Sequence, residues 1–191
     1  MNCVTYLVDI CIQNKYVEPE KAPWLQYILE KWITSTISYV VLVILGLLIV
    51  NPATMISFLI SFCSLRTVTN GFHASSFGRC LLYSVIGELI FLIILPTLLN
   101  KTMIFVGSFV SFMLILCCSP YNHPHMNLSN KEILACRKCA RKRLTILGVS
   151  TVVLYTLGFE NLTKGIALGV AMVASTLLLA YCLPKSMQGV G

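Results

Sequence analysis

An all-α membrane bundle is the fold class this sequence predicts, and three observations predict it. The chain has 191 residues, of which 57% are hydrophobic and 11% charged, with a mean hydropathy of +0.84. A soluble domain carries about 25% charged residues, so the solvent this chain is built for is largely lipid. Six apolar runs, roughly 33–50, 52–66, 81–99, 102–118, 144–160 and 164–183, approach the ~20 residues a perpendicular helical span needs. The positive charge is also sorted by side, as described below. The length suits one compact helical bundle with no separate soluble domain.

Residues 1–32 read as an amphipathic interfacial segment, ahead of a membrane domain over 33–191. Val4, Leu7, Val8, Cys11 and Ile12 follow helical spacing and are opposed by Thr5, Asp9, Gln13 and Asn14. Pro19 and Pro23 break that pattern, and Trp24, Tyr27, Ile28 and Trp32 restart it. Aromatic rings interleaved with charge suit a helix in the headgroup layer, and a short cap on the bundle is the equal alternative. The charges in this region leave no conventional signal-peptide core. Asn51-Pro52 and Asn100-Lys101 predict tight turns between helical neighbours, the second and fifth runs are short for a span, and Pro96 predicts a kink.

With the N-terminus in the cytoplasm, the inner regions hold Lys15, Lys21, Lys31, Arg66, Arg79, Lys131, Arg137, Lys138, Arg141, Lys142, Arg143 and Lys185, while the outer ones hold Lys101 and Lys164. This is a strong positive-inside bias. It predicts a multi-pass protein with both termini on the cytoplasmic side. Nine cysteines, an odd number, cannot form a complete disulfide framework within one chain.

The chemistry concentrates in the stretch from Arg66 to Cys80, between two apolar runs. His73 and Cys80 are seven positions apart, about 10 Å along a regular helix, too far for a hydrogen bond. They meet only if the chain bends back between Gly71 and Gly78, where Asn70-Gly71 and Gly78 supply the freedom. If they meet, the imidazole lowers the thiol pKa, fixes an attacking thiolate and supplies the acid for a departing amine. Arg66 and Arg79 add positive potential that favours the thiolate. A packed cysteine beside an interfacial histidine is the plain alternative.

The pattern Arg66-x4-Gly71-x-His73-Ala74-x5-Cys80 resembles the AgrB family, the accessory gene regulator peptidases of bacterial quorum sensing. Ser119-Pro120, Pro124, Asn127-Leu128 and Lys131-Glu132 are similar to the family's proline-containing loop, and the resemblance covers essentially the whole chain. Many relatives have Gly-Gly before the histidine region where this chain has Asn70-Gly71, and Asn also tolerates positive φ. The resemblance implies a membrane cysteine endopeptidase in which Cys80 attacks, His73 activates it and protonates the leaving amine, and Arg66 and Gly71 support the site. Its substrate would be an AgrD-like propeptide, cleaved before an acidic C-terminal tail and closed to a thiolactone or lactone. The resemblance also implies a homodimer; no cofactor or metal is expected.

Three features remain open at the level of sequence. The run from Arg137 to Arg143, placed in a cytoplasmic loop over 119–143, offers Arg137, Lys138, Arg141, Lys142 and Arg143 either as a topology signal touching anionic lipid or as a binder of the acidic tail. Nucleic acid is not expected, since no aromatic platform accompanies the charge. His123, His125, Cys136 and Cys139 are a weak zinc set, with only one Cys-x2-Cys. Glu88, an acid in an apolar run, is a functional candidate by default; it either holds His73 or Arg66, or bonds Ser84 in its own helix. The competing function class is a small peptide exporter without proteolytic chemistry, against which the scarcity of polar residues in the spans argues.

Overall fold

The computed structural model describes residues 3–72, 77–98, 100–122 and 128–183, with the side chains at 3, 23, 24, 27, 28, 30, 31, 34, 35, 38, 77, 78, 80 and 101 left out of that description. Among the described residues every regular element is helical. The chain divides into two compact units, Met1–Val41 and Leu42–Gly191.

In the first unit, α1 covers Cys3–Gln13. It ends where Lys15 takes φ 57° and the Asn14 amide folds back onto the Ile10 carbonyl at 2.9 Å. Pro19 opens a short 3-10 turn over Pro19–Lys21. The next helix, α2, runs unbroken over Ala22–Ile49, about 42 Å at 1.5 Å per residue. The expected boundary at 32/33 is therefore not a break in the chain: interfacial segment and first apolar run share one helix, because no breaker lies between Trp24 and Leu45.

The second unit holds the core. Asn51 caps α3 (Pro52–Thr69), its side-chain oxygen accepting from the Ala53 N–H at 2.9 Å with Pro52 in the first turn. After the connection at 70–76 come α4 (Phe77–Leu89), a π-turn over Ile90–Ile94 and α5 (Leu95–Leu98). Pro96 explains that turn. It has no N–H to donate, and its ring would strike the carbonyl four residues back in a regular helix. The helix answers the expected kink by widening one turn. Then follow α6 (Lys101–Cys118), capped by Asn100 onto the Met103 N–H at 2.9 Å, α7 (Asn130–Thr156) and α8 (Glu160–Cys182).

The basic run, expected in a loop, lies inside α7. That helix starts at a capping box: the Ser129 side chain accepts from the Glu132 N–H, and the Glu132 carboxylate accepts from the Ser129 N–H at 2.8 Å. The Ser129 hydroxyl, which donates to the Glu132 carboxylate at 2.7 Å, and then the Ser129 N–H hold the Glu132 carboxyl below the usual carboxylate range.

The bundle is centred on α3 and α8, which approach closely at Gly165 and Gly169. A methyl group at either glycine would collide with the hydroxyl of Ser57 or Ser61 and press on the α3 backbone. Those hydroxyls are turned back onto their own helix, Ser57 onto the Ala53 carbonyl at 2.8 Å and Ser61 onto the Ser57 carbonyl at 2.9 Å. Small residues four apart with serines opposite let two helices pack backbone to backbone where lipid gives no hydrophobic drive. Met55, Phe58, Leu65, Ile115, Leu144, Val173 and Leu177 fill the interior.

Large apolar side chains also crowd the outside, among them Ile56 and Ile60 on α3 and Val106, Phe109, Val110 and Met113 on α6. A soluble monomer does not expose such continuous patches. Among the described residues three helices, Pro52–Thr69, Leu81–Leu98 and Glu160–Cys182, are long and apolar enough to cross a membrane, and shorter apolar helices cover Tyr39–Ile49 and Thr102–Cys118. The expected runs fall largely on helices, but the fifth, 144–160, passes the end of α7 at Thr156 and is not among the span-length or shorter apolar helices. The architecture is that of a helical membrane bundle.

Candidate functional site

The site is built from the end of α3. Arg66 sits in the last turn of that helix, not in the connection after it. Its guanidinium reaches back over the chain end and donates to the Asn70 carbonyl and, from Nη2, to the Phe72 carbonyl at 2.6 Å. A planar fork suits two carbonyls two residues apart better than a single ammonium does. The chain needs such a clamp because it bends sharply: Asn70 has φ 57° and Gly71 φ 120°. An L-residue at positive φ costs about 1–2 kcal/mol, and Asn is among the residues that tolerate it best. Asn70 thus adopts a conformation that glycine takes without strain.

Gly71 has no substitute. A Cβ there would sit 2.5 Å from Arg66 Nη1 and 3.1 to 3.2 Å from the hydroxyl and carbonyl oxygens of Thr176. The closeness is required, since the Phe72 N–H donates to the Thr176 carbonyl on α8 at 2.9 Å. A second connection supports the turn from below. The Tyr121 N–H donates to the Thr69 carbonyl at 3.0 Å, and the Asn70 side-chain amide donates to the Tyr121 carbonyl at 3.2 Å. Arg66, Asn70 and Gly71 thus form one turn, held also by Tyr121 and Thr176, which residue type alone did not mark.

His73 lies outside the described residues. The backbone of Cys80 falls in the first turn of α4; its side chain is outside the description. The two ends of the intervening segment are defined. The Phe72 ring meets the Tyr83 ring edge-on, with centroids 5.7 Å apart. Phe72 adjoins His73, and Tyr83 stands three residues beyond Cys80, about 4.5 Å along the α4 axis. Phe72 and Tyr83 thus lie side by side although eleven positions apart in the chain.

Glu88 lies eight residues beyond Cys80, about 12 Å along α4. It is 1% exposed, and among the described residues neither carboxylate oxygen has a hydrogen-bond partner. The expected bonds from Arg66 or Ser84 are not formed. The carboxylate packs instead beside Gly46 of α2, where a Cβ would come within 3.0 Å of Oε1 and collide with Met55 of α3.

The basic run divides into two groups. Arg137 Nε donates to the Ser119 carbonyl at 3.3 Å. Arg143 Nη1 donates to the Ser64 carbonyl at 2.5 Å and the Thr67 hydroxyl at 2.7 Å, tying α7 to α3. Lys138, Arg141 and Lys142 remain exposed on α7. His123 and His125 of the zinc set lie outside the described residues. Among the described residues no group of three or more His, Cys, Asp or Glu side chains is placed to hold a metal.

A helical membrane protein with a clamped polar turn at the end of one span-length helix is the class these features define. The chain belongs to the AgrB family: the model of accessory gene regulator B matches residues 3–177. No curated protein matches the chain, and no solved structure does. Membership places the protein in peptide processing for the agr quorum-sensing system, with an AgrD-like propeptide as its partner.

Proposed function

We propose that the protein is a membrane-embedded cysteine endopeptidase that cuts the C-terminal tail from an AgrD-like propeptide and prepares the remainder for cyclisation. His73 takes the Cys80 thiol proton, and the thiolate attacks the carbonyl at the junction of signal region and tail. The C–N bond breaks, His73 returns the proton to the departing amine, and the signal region is left as a thioester on Cys80. A Cys or Ser side chain of the substrate then displaces Cys80, closing a thiolactone or lactone ring and restoring the thiol. A thioester keeps the acyl reactivity that a carboxylate lacks, and a site sunk at the membrane surface keeps water from intercepting it.

The observation that carries this reading is the ring contact between Phe72 and Tyr83, on either side of His73 and Cys80. A pair seven positions apart meets only if the chain folds back, and the ring contact supports that fold. The Arg66 clamp and the bonds from Tyr121 and Thr176 fix its starting end. Lys138, Arg141 and Lys142 suit the acidic tail. The sorting of Lys and Arg supports a multi-pass topology with both termini and the site facing the cytoplasm, and the family resemblance favours a homodimer in the cell membrane.

The test uses full-length protein in liposomes with the AgrD-like propeptide. Intact mass spectrometry of the chain should find a peptide adduct that maps to Cys80 and is lost in Cys80→Ala and His73→Ala. Cleavage that survives Cys80→Ala in a folded protein would overturn the reading.

A further inference from the structure

Arg137 belongs to a run of cations, and the obvious partner for such a run is an acidic peptide. Its guanidinium is otherwise engaged, with Nε donating to the Ser119 carbonyl at 3.3 Å. Ser119 is 1% exposed and opens the connection that carries Tyr121. The described start of that connection is held from α8 as well. The Tyr181 hydroxyl of α8 donates to the Cys118 carbonyl at 2.8 Å, and the Tyr121 and Tyr181 rings meet edge-on with centroids 5.0 Å apart. Tyr121 in turn holds Thr69 and Asn70 through its backbone N–H and carbonyl. Asn70 keeps a positive φ of 57°, and strain of that kind persists only where neighbours over-determine it.

We infer that Arg137 is a positioning residue for the turn that delivers His73, acting through the Ser119 carbonyl and Tyr121 and making no contact with the substrate's acidic tail. The inference rests on the peptidase reading above. It splits the basic run into two roles, in which Arg137 braces the turn from α7 while Lys138, Arg141 and Lys142 face the tail. The signal that separates them is burial, since Arg137 is half-buried and the other three are exposed.

The experiment compares wild type, Arg137→Gln and Lys138→Gln, all full-length and in liposomes. Each acts on the propeptide with its acidic tail and on one whose tail acids are amides. Arg137→Gln should lower kcat about tenfold on both substrates with KM within about twofold, the pattern of a group that shapes the transition state without adding ground-state binding. Lys138→Gln should raise KM on the acidic tail alone. A substrate-free readout accompanies these: the rate at which iodoacetamide alkylates Cys80, followed by peptide mass mapping. It should change severalfold in Arg137→Gln and stay unchanged in Lys138→Gln. Should Arg137→Gln fail to fold, Arg137→Lys keeps the charge without a donor at the Nε position and should also lose kcat.

A KM effect of Arg137→Gln that disappears with the amide tail would overturn the inference, as would wild-type kcat and Cys80 alkylation in either Arg137 variant. Wild type that neither cleaves nor forms a Cys80 adduct would sink the peptidase reading instead; the alkylation arm would still report whether Arg137 holds the turn.

Discussion

The turn at 66–72 and the carboxylate of Glu88 are buried polar features of one bundle, and the protein treats them in opposite ways. In the turn, two residues at positive φ are held by Arg66, Tyr121 and Thr176, each bonding a backbone group. At Glu88, a carboxylate that is 1% exposed has both oxygens unpartnered among the described residues, beside Gly46 and Met55. Burial of a polar group without a partner costs free energy, whereas a satisfied network fixes one geometry. The difference teaches where this fold spends its specificity: on the path of the chain into His73, and not on the acid that residue type alone makes conspicuous.

Four substitutions break or sharpen that contrast. Gly71→Ala should have the largest effect, because positive φ and the contacts with Arg66 and Thr176 act together. A loss of about 2–4 kcal/mol in stability, read by denaturant unfolding in micelles, should accompany loss of propeptide cleavage. Arg66→Gln removes the fork and leaves the Asn70 and Phe72 carbonyls without their charged donor, which costs about 1.5–3 kcal/mol. Cleavage kinetics should fall in step, and wild-type rates would show the clamp to be dispensable.

Asn70→Ala should cost about 1–2 kcal/mol, while Asn70→Gly should recover part of that, since glycine accepts the φ but not the bond to Tyr121. Equal losses in the two variants would mean that backbone strain is not what Asn70 relieves. Glu88→Gln should have the smallest effect, leaving the unfolding midpoint unchanged or raising stability by up to about 1 kcal/mol, because an amide is cheaper to bury than a lone carboxylate. A marked loss of stability there would reveal a partner for Glu88 and dissolve the contrast.

Much of the fold was legible in the residues. Hydropathy located the three span-length helices and the apolar stretches Tyr39–Ile49 and Thr102–Cys118, Asn51-Pro52 and Asn100 marked two helix starts, and Asn70-Gly71 marked the bend. The basic helix was misjudged because charge lowers hydropathy. Yet Lys, Arg, Ala and Leu are good helix formers, and Ser129-x-x-Glu132 announces a helix start. The Gly165-x3-Gly169 spacing was likewise a readable sign of close helix packing that went unused. The supports of the turn were not legible in the same way. Thr69, Ser119, Tyr121 and Thr176 contribute backbone groups, which every residue type carries, and they are brought together across distances of up to about a hundred positions by packing alone.

The close approach of α3 and α8 has a mechanical consequence. With Gly165 and Gly169 seated against Ser57 and Ser61, neither helix can slide or roll without driving a side chain into a backbone. The pair is a stator. The helix after the turn is built differently: beyond the end of α4 at Leu89 the chain widens into the π-turn of Ile90–Ile94 ahead of Pro96. Cys80, the nucleophile of the proposed reaction, thus stands on a helix outside that locked pair.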